Sequence, residues 1–499
     1  MENKKVISIN DAPKALRLFL ILLPVVGIFL IGTEINNDFF FLYKTGEHIL
    51  NEGFPTKDFL SMHTGMDIVV QQWASDVVFY TMYSRLGLFG LFGFIYLCYA
   101  VFAVIMFKLC KLICDNEFSA AICAFVADIF SAGIFFTTRP NAISEIIFVA
   151  ELFILEKYVK TKSTKPLILL PVLSLLLVNF HASMWLLFFV FALPFAAEAI
   201  PIKIGKFRQE PCCNFFVLLI TGVVCFAAGF LNPYATKAMF YVFTSFGYSE
   251  INSLIVEMAP TRLNNPLGIL FYIILAVMAI TVLLTRKKNF KTRFVLLFFG
   301  TLVLAVMNLR STGLFGVAAI PAFSYYIKDI DIKITLPEKG KKSQSKGKIA
   351  ILSLLIVAVA AAGTVLIIGN ENDKVQPEKS PYETLNEASE IMKEEKDEVV
   401  LFTGFDYGQY MEFKGFHPYI DGRAELFLKD NNHEADYLKE YYNLLAGKLD
   451  CGKFINKYGF NYLVVEKQEK HLYKYLENNE KFERVLSDKK LSLFRRKTT

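Results

Sequence analysis

The chain has 499 residues, of which 54% are hydrophobic and 15% aromatic, with 49 Phe, and its mean hydropathy is +0.41. That apolar content, gathered in runs long enough for a bilayer core of roughly 30 Å, excludes an ordinary soluble domain and indicates a polytopic membrane protein. The net charge of +6 is spread over basic loops, so it marks topology and not a nucleic-acid partner.

Lysines precede the first apolar run, residues 18–33, and no small-x-small cleavage site follows it cleanly, which points to an uncleaved signal-anchor helix. Further apolar runs fall at 86–107, 118–136, 142–155, 166–178, 184–200, 215–231, 267–284, 294–307, 313–327 and 349–368. The expected total is therefore about 11 spans. With the N-terminus in the cytosol, Lys and Arg collect in alternate loops, as the positive-inside rule requires. Residues 328–348 read as a basic cytosolic linker suited to anionic lipid. The expected organisation is a transmembrane domain over 1–369, whose first outer loop is 34–76, and a soluble extracytoplasmic domain over 370–499. In that last segment a helix is expected over 380–396, strands over 398–403, 417–421 and 461–465, helices over 434–445 and 452–458, and a final hairpin. Alternation of this kind suggests a small α/β domain. The eight cysteines show no disulfide framework and no metal spacing.

The outward segments carry the polar chemistry. Asp38 follows the first span, where a carboxylate can act as a general base or cap the helix that Gly53 would end. Asp58, Ser61 and His63 sit in a loop opened by Pro55. They can hold a divalent cation or an acceptor, or simply hydrogen-bond their own turn. Arg139 in TTRPN and Arg310 in NLRST have the forked donors that suit a lipid diphosphate, and both can equally snorkel to headgroups. His181 in NFHAS and Glu257 complete a set that a single outward cavity would unite with Asp38. In the soluble part, GFDYGQYMEF offers Asp406 and Tyr407, and YIDGRAELF offers Asp421 and Arg423 around a Gly422 turn. Nucleotide-binding loops and hydrolase motifs are absent from the sequence.

Taken together, Asp38, Gly46/Ile49, Pro55/Asp58/Ser61, Trp73, Arg139-Pro140, Asn179/His181, Asn232-Pro233-Tyr234, Arg310, Asp406–Tyr410 and Asp421–Arg423 form a recognisable pattern. It resembles bacterial polytopic proteins of the GT-C superfamily, relatives of protein O-mannosyltransferases and oligosaccharyltransferases. The resemblance implies a sugar donor on polyprenyl phosphate, a glycan or protein acceptor, inverting transfer at the outer face of a bacterial plasma membrane, and Asp38 as the base. The segment Phe405–Gly408 is similar to the WWDYG signature of oligosaccharyltransferases but lacks its paired Trp. The usual second acid of the first loop is also missing, so no cofactor is assigned and a possible divalent metal stays open. The rival expectation is a non-catalytic transporter of lipid-linked saccharide or an envelope assembly scaffold.

Overall fold

A computed structural model describes residues 4–8, 35–132, 136–205, 207–244, 256–285, 290–329, 333–337, 382–395 and 398–497. The expected first span (18–33) and last span (349–368) lie outside the described residues. The helices are α1 (Asp38–Glu52), α2 (Trp73–Cys114), α3 (Glu117–Ala132), α4 (Asn141–Thr161), α5 (Leu170–Phe180), α6 (Trp185–Ala199) and α7 (Phe215–Ala228). They continue with α8 (Pro266–Thr285), α9 (Thr292–Met307), α10 (Thr312–Ser324), α11 (Tyr382–Lys393), α12 (Gly408–Phe413), α13 (Tyr437–Leu445), α14 (Cys451–Tyr458) and α15 (Lys470–Glu477), separated by shorter helical turns. Among the described residues, three helices have the length and composition to cross a membrane, Trp73–Cys114, Ala182–Ala199 and Pro266–Leu284, and Lys165–Phe180, Phe215–Ala228 and Thr292–Met307 are shorter apolar helices. α2 begins well before the run expected at 86–107. Gly87, at φ +59°, breaks its helical geometry, a backbone state that glycine reaches without Cβ strain.

The chain divides into two units by its own contacts. The first comprises 1–33, 92–235 and 255–367, and the second 34–91, 236–254 and 368–499.

In the first unit, α10 packs on α3 through small residues. A Cβ at Gly316 would stand 3.0 Å from the Phe130 Cβ, so glycine permits the close helix approach on which packing between membrane helices depends. α4, α6 and α9 are joined by one buried arginine. Arg293 Nε and Nη2 donate to Glu156 at 2.9 and 2.7 Å, and Nη1 donates to Glu198 at 2.7 Å. Two short ribbons also belong to this unit: Lys4–Ser8 (β1) pairs antiparallel with Lys333–Pro337 (β4), and Ile202–Ile204 (β2) with Phe207–Gln209 (β3).

In the second unit, a four-stranded sheet runs in the order Leu401–Thr403 (β5), Tyr462–Glu466 (β6), Leu491–Arg496 (β8), Phe482–Ser487 (β7). β5 pairs parallel with β6, while β8 is antiparallel to both β6 and β7. Asp450 caps α14 by accepting from the Lys453 N–H, and Asp436 caps α13 in the same way from Lys439. Residues 417–421, expected as a strand, form none. Pro418 has no N–H, and only an isolated bridge to Leu401 is made there. α1 belongs to this unit, with Phe39, Phe40, Phe41, Leu42 and Ile49 buried. The Phe40 ring lies 5.0 Å from Tyr410 and 5.4 Å from Phe413, so α1 and the C-terminal segment share one aromatic core.

Candidate active site

In the second unit the site is built around Asp38. Asn37 is the N-cap position of α1 and Asp38 its first residue; Asp38 N–H donates to Asn36 Oδ1 at 3.0 Å. The expectation that Asp38 itself caps the helix is thus moved one residue back, while Gly53 closes the far end with its N–H on Ile49 O. The Asn37 amide donates to Asp406 O at 3.3 Å and accepts from the Tyr382 hydroxyl. These bonds fix the start of α1 against the 404–408 loop.

Beside Asp38 lies the turn Asp421-Gly422-Arg423. A Cβ placed on Gly422 would be 3.4 Å from Asp38 Oδ1 and 3.3 Å from Gln409 Nε2. Gly422 N–H donates to Gln409 Oε1 at 3.1 Å. Glycine here leaves the space that the carboxylate occupies.

Arg423 is the fastener of that turn. Its Nε and Nη2 grip Asp421 at 2.9 and 2.6 Å, Nη1 donates to Asp58 at 2.6 Å, and Nη2 reaches Glu412 at 3.4 Å. Asp58 also accepts from the Ser61 hydroxyl at 2.6 Å and the Ser61 N–H at 3.0 Å. Burial pushes the Asp58 carboxyl up, but Arg423 and Ser61 outweigh it and hold it below the usual carboxylate range. Burial, then the Asp421 charge, push the Glu412 carboxyl well above that range, against the opposing pull of the Arg423 guanidinium.

His63 has a supporting role. Its Nε2 is 2.8 Å from Tyr419 O, its ring stacks on Tyr437 at 3.7 Å, and burial lowers it to about 4, so the ring is neutral. Met62 N–H on Pro418 O and His417 Nδ1 at 3.0 Å from Leu60 O tie the same loop to 417–418. Asp58, Asp421 and Arg423 are therefore buried and engaged with one another, His63 is buried against Tyr419 and Tyr437, and together they shape the turn beneath Asp38. Tyr407 is buried as well, with the Lys490 ammonium 5.3 Å above its ring. Asp406 is exposed at the rim. Partial burial, then Glu466, raises its carboxyl; Lys490 opposes them, and the Asp38 charge adds a smaller upward push.

The other four predicted residues belong to the first unit, where the structure brings them together. Arg139 Nη1 donates to both Glu257 carboxylate oxygens at 3.2 and 3.1 Å. Arg310 Nη2 donates to Asn141 Oδ1 at 3.3 Å. His181 Nδ1 is 2.7 Å from Ser144 Oγ, and burial, followed by Arg310 and then Arg139, lowers it to about 3. The guanidiniums of Arg139 and Arg310 carry forked donors of the kind that suit an anion. Asn179 holds the Leu175 and Leu231 carbonyls, and Asn232 closes the Pro233-Tyr234 turn by accepting from Tyr234 N–H at 2.8 Å.

Sequence reading missed Gln409 and Glu412. Their three-residue spacing on the helix after Gly408 places both on one side, and that spacing was the available signal. Among the described residues no three His, Cys, Asp or Glu side chains gather as a metal site would need, and the acidic group Asp58, Asp421 and Glu412 is filled by Arg423.

The fold is mostly helical, includes apolar helices long enough to cross a membrane, and has a counterpart among solved structures. In particular, the chain is similar to the structure of the Archaeoglobus fulgidus oligosaccharyltransferase tethered by a disulfide to an acceptor peptide containing the NVT sequon. The TM-score is 0.51 at 12% identity, over 91% of this chain and 69% of that one. No protein-family model matches the chain, and no curated protein does.

Proposed function

We propose that the protein is a membrane glycosyltransferase. It moves a sugar from a polyprenyl-phosphate-linked donor to a glycan or protein acceptor at the outer face of a bacterial plasma membrane. The observation that carries this reading is the seating of Asp38 on the Asp421-Gly422-Arg423 turn, in a chain with an oligosaccharyltransferase fold. Asp38 takes the proton from the acceptor nucleophile as that atom attacks the anomeric carbon, and the bond from that carbon to the phosphate oxygen breaks with inversion. Arg139 and Arg310 bind the phosphate of donor and leaving group, with Glu257 orienting Arg139 and Ser144 orienting His181. Arg423, Asp421 and Asp58 keep the floor beneath the base rigid, and Asp406 at the rim contacts the acceptor.

The test uses purified protein in lipid nanodiscs with a panel of polyprenyl-phosphate sugars and membrane-derived acceptors. Asp38→Asn is expected to lower transfer by about 10² to 10⁴ while the thermal midpoint stays unchanged. Transfer at the native rate by that variant would remove Asp38 from the base role.

A further inference from the structure

Away from the proposed active site, the first unit holds two consecutive cysteines, Cys212 and Cys213, between α6 and α7. The two sulfurs are 3.5 Å apart, and both thiols are free. A built environment surrounds them. Cys212 N–H donates to Glu198 O at 3.1 Å, the Lys162 ammonium donates to Cys212 O, and Asn214 N–H donates to the Tyr158 hydroxyl at 3.3 Å. Asn214 is the N-cap of the 14-residue helix α7, accepting from Phe216 and Val217 N–H, so Cys213 sits at the positive end of an apolar helix. Glu198 is also one of the two carboxylates that bind Arg293.

These surroundings treat the two sulfurs differently. The Cys212 hydrogen bond first, then Lys162 and Arg293, lower the Cys213 thiol against the effect of burial. The same hydrogen bond, burial and the neighbouring sulfur raise Cys212. Cys213, next to the N-cap Asn214 of α7 and near the Lys162 ammonium, is placed to be the nucleophile, and Cys212 to resolve it.

We infer that Cys212 and Cys213 form a site of reversible oxidation by hydroperoxides, in which Cys213 is attacked first and Cys212 closes a vicinal disulfide. The Cys213 thiolate attacks one hydroperoxide oxygen and the O–O bond breaks. This leaves Cys213 as a sulfenic acid and releases an alcohol, or water in the case of hydrogen peroxide. The Cys212 sulfur then attacks the Cys213 sulfur, the S–O bond breaks, and the hydroxyl leaves as water with the Cys212 proton. Two thiols lose two electrons and two protons, and the hydroperoxide takes them up. Closure brings the sulfurs from 3.5 Å to about 2.05 Å. The Cys212 N–H is bonded to the Glu198 backbone carbonyl, and the Glu198 side chain binds Arg293, so the pair adjoins the junction of α4, α6 and α9.

The experiment treats the full-length protein in detergent with hydrogen peroxide, blocks remaining thiols with N-ethylmaleimide under denaturing conditions, and reads the peptides by mass spectrometry. In the wild type, the peptide carrying both residues should lose two hydrogens, about tenfold faster than any of the other six cysteines is modified, and dithiothreitol should reverse the change. In Cys212→Ser, dimedone should trap the sulfenic acid at Cys213; in Cys213→Ser, Cys212 should stay unmodified. Oxidation of this pair no faster than that of Cys451 or Cys98 would overturn the proposal, as would a disulfide to any other cysteine. A dimedone adduct on Cys212 formed at the Cys213 rate would overturn the assigned order. The wild-type measurement decides the matter even if neither variant folds.

Discussion

Replacing Arg423 by Met keeps much of the side-chain volume and removes the one cation among Asp58, Asp421 and Glu412. Arg423 donates to all three at 2.6–3.4 Å, and all four residues are buried. Water cannot take over those bonds without opening the loop. Removing one partner of a buried ion pair costs about 3–5 kcal/mol, since the remaining charges stay desolvated and uncompensated. The variant can recover part of this by protonating Asp58, whose carboxyl burial pushes up once Arg423 is gone, which places the loss toward the lower end at acid pH. Hydrogen exchange read by mass spectrometry over residues 404–427 is the suitable assay. At about 1.4 kcal/mol per decade, protection there should fall by a factor of about 10² to 10³ at pH 7. Adding Asp58→Asn should restore part of it, because one orphaned charge is then gone. Protection within threefold of the native value would refute the claim that Arg423 fastens the turn under Asp38.

Four further outcomes follow from the same geometry. His63 is lowered to about 4 from an ordinary 6.5, so the unfolded chain binds a proton there that the folded one refuses. Its share of stability is whole above pH 6.5 and is lost as pH falls toward 4, by about 3 kcal/mol; comparing wild type with His63→Gln over pH 4–7 should isolate that slope. A Cβ at Gly46 would stand 2.2 Å from the Asp76 carbonyl oxygen, so Gly46→Ala must force α1 away from α2; a fall in thermal midpoint of several degrees is expected, and an unchanged melt would contradict it. Arg293→Met strips the partner from Glu156 and Glu198 and should cost the first unit about 3–5 kcal/mol, read as reduced protection in α4 and α9. Asp406→Asn should raise the acceptor KM with kcat nearly kept, because Asp406 stands at the exposed rim; an equal fall in both kcat and kcat/KM would place it in the chemistry instead.

Membrane insertion was legible in the sequence because the hydrophobic effect acts on composition and run length, and neither needs a partner to be known. α4, α9 and the final hairpin lie where apolar periodicity and turn residues put them. Asp421 and Arg423 were legible as a pair because two residues of opposite charge flank a glycine. Residues 417–421 misled because Tyr419 and Ile420 are strong strand formers, while Pro418 withholds an N–H that a ladder needs.

Other features were decided only in three dimensions. Composition marks 370–499 as soluble, but it cannot say that Phe40 of the first loop will fill the space beside Tyr410 and Phe413. Nor can it say that Asp58 will spend its charge on Arg423, 365 residues away, and not on a metal or a substrate. A side chain's type and local spacing set what it is able to bind. Which of the available partners it meets depends on loop closure over hundreds of residues and on which buried charges must be compensated, and both are properties of the assembled fold.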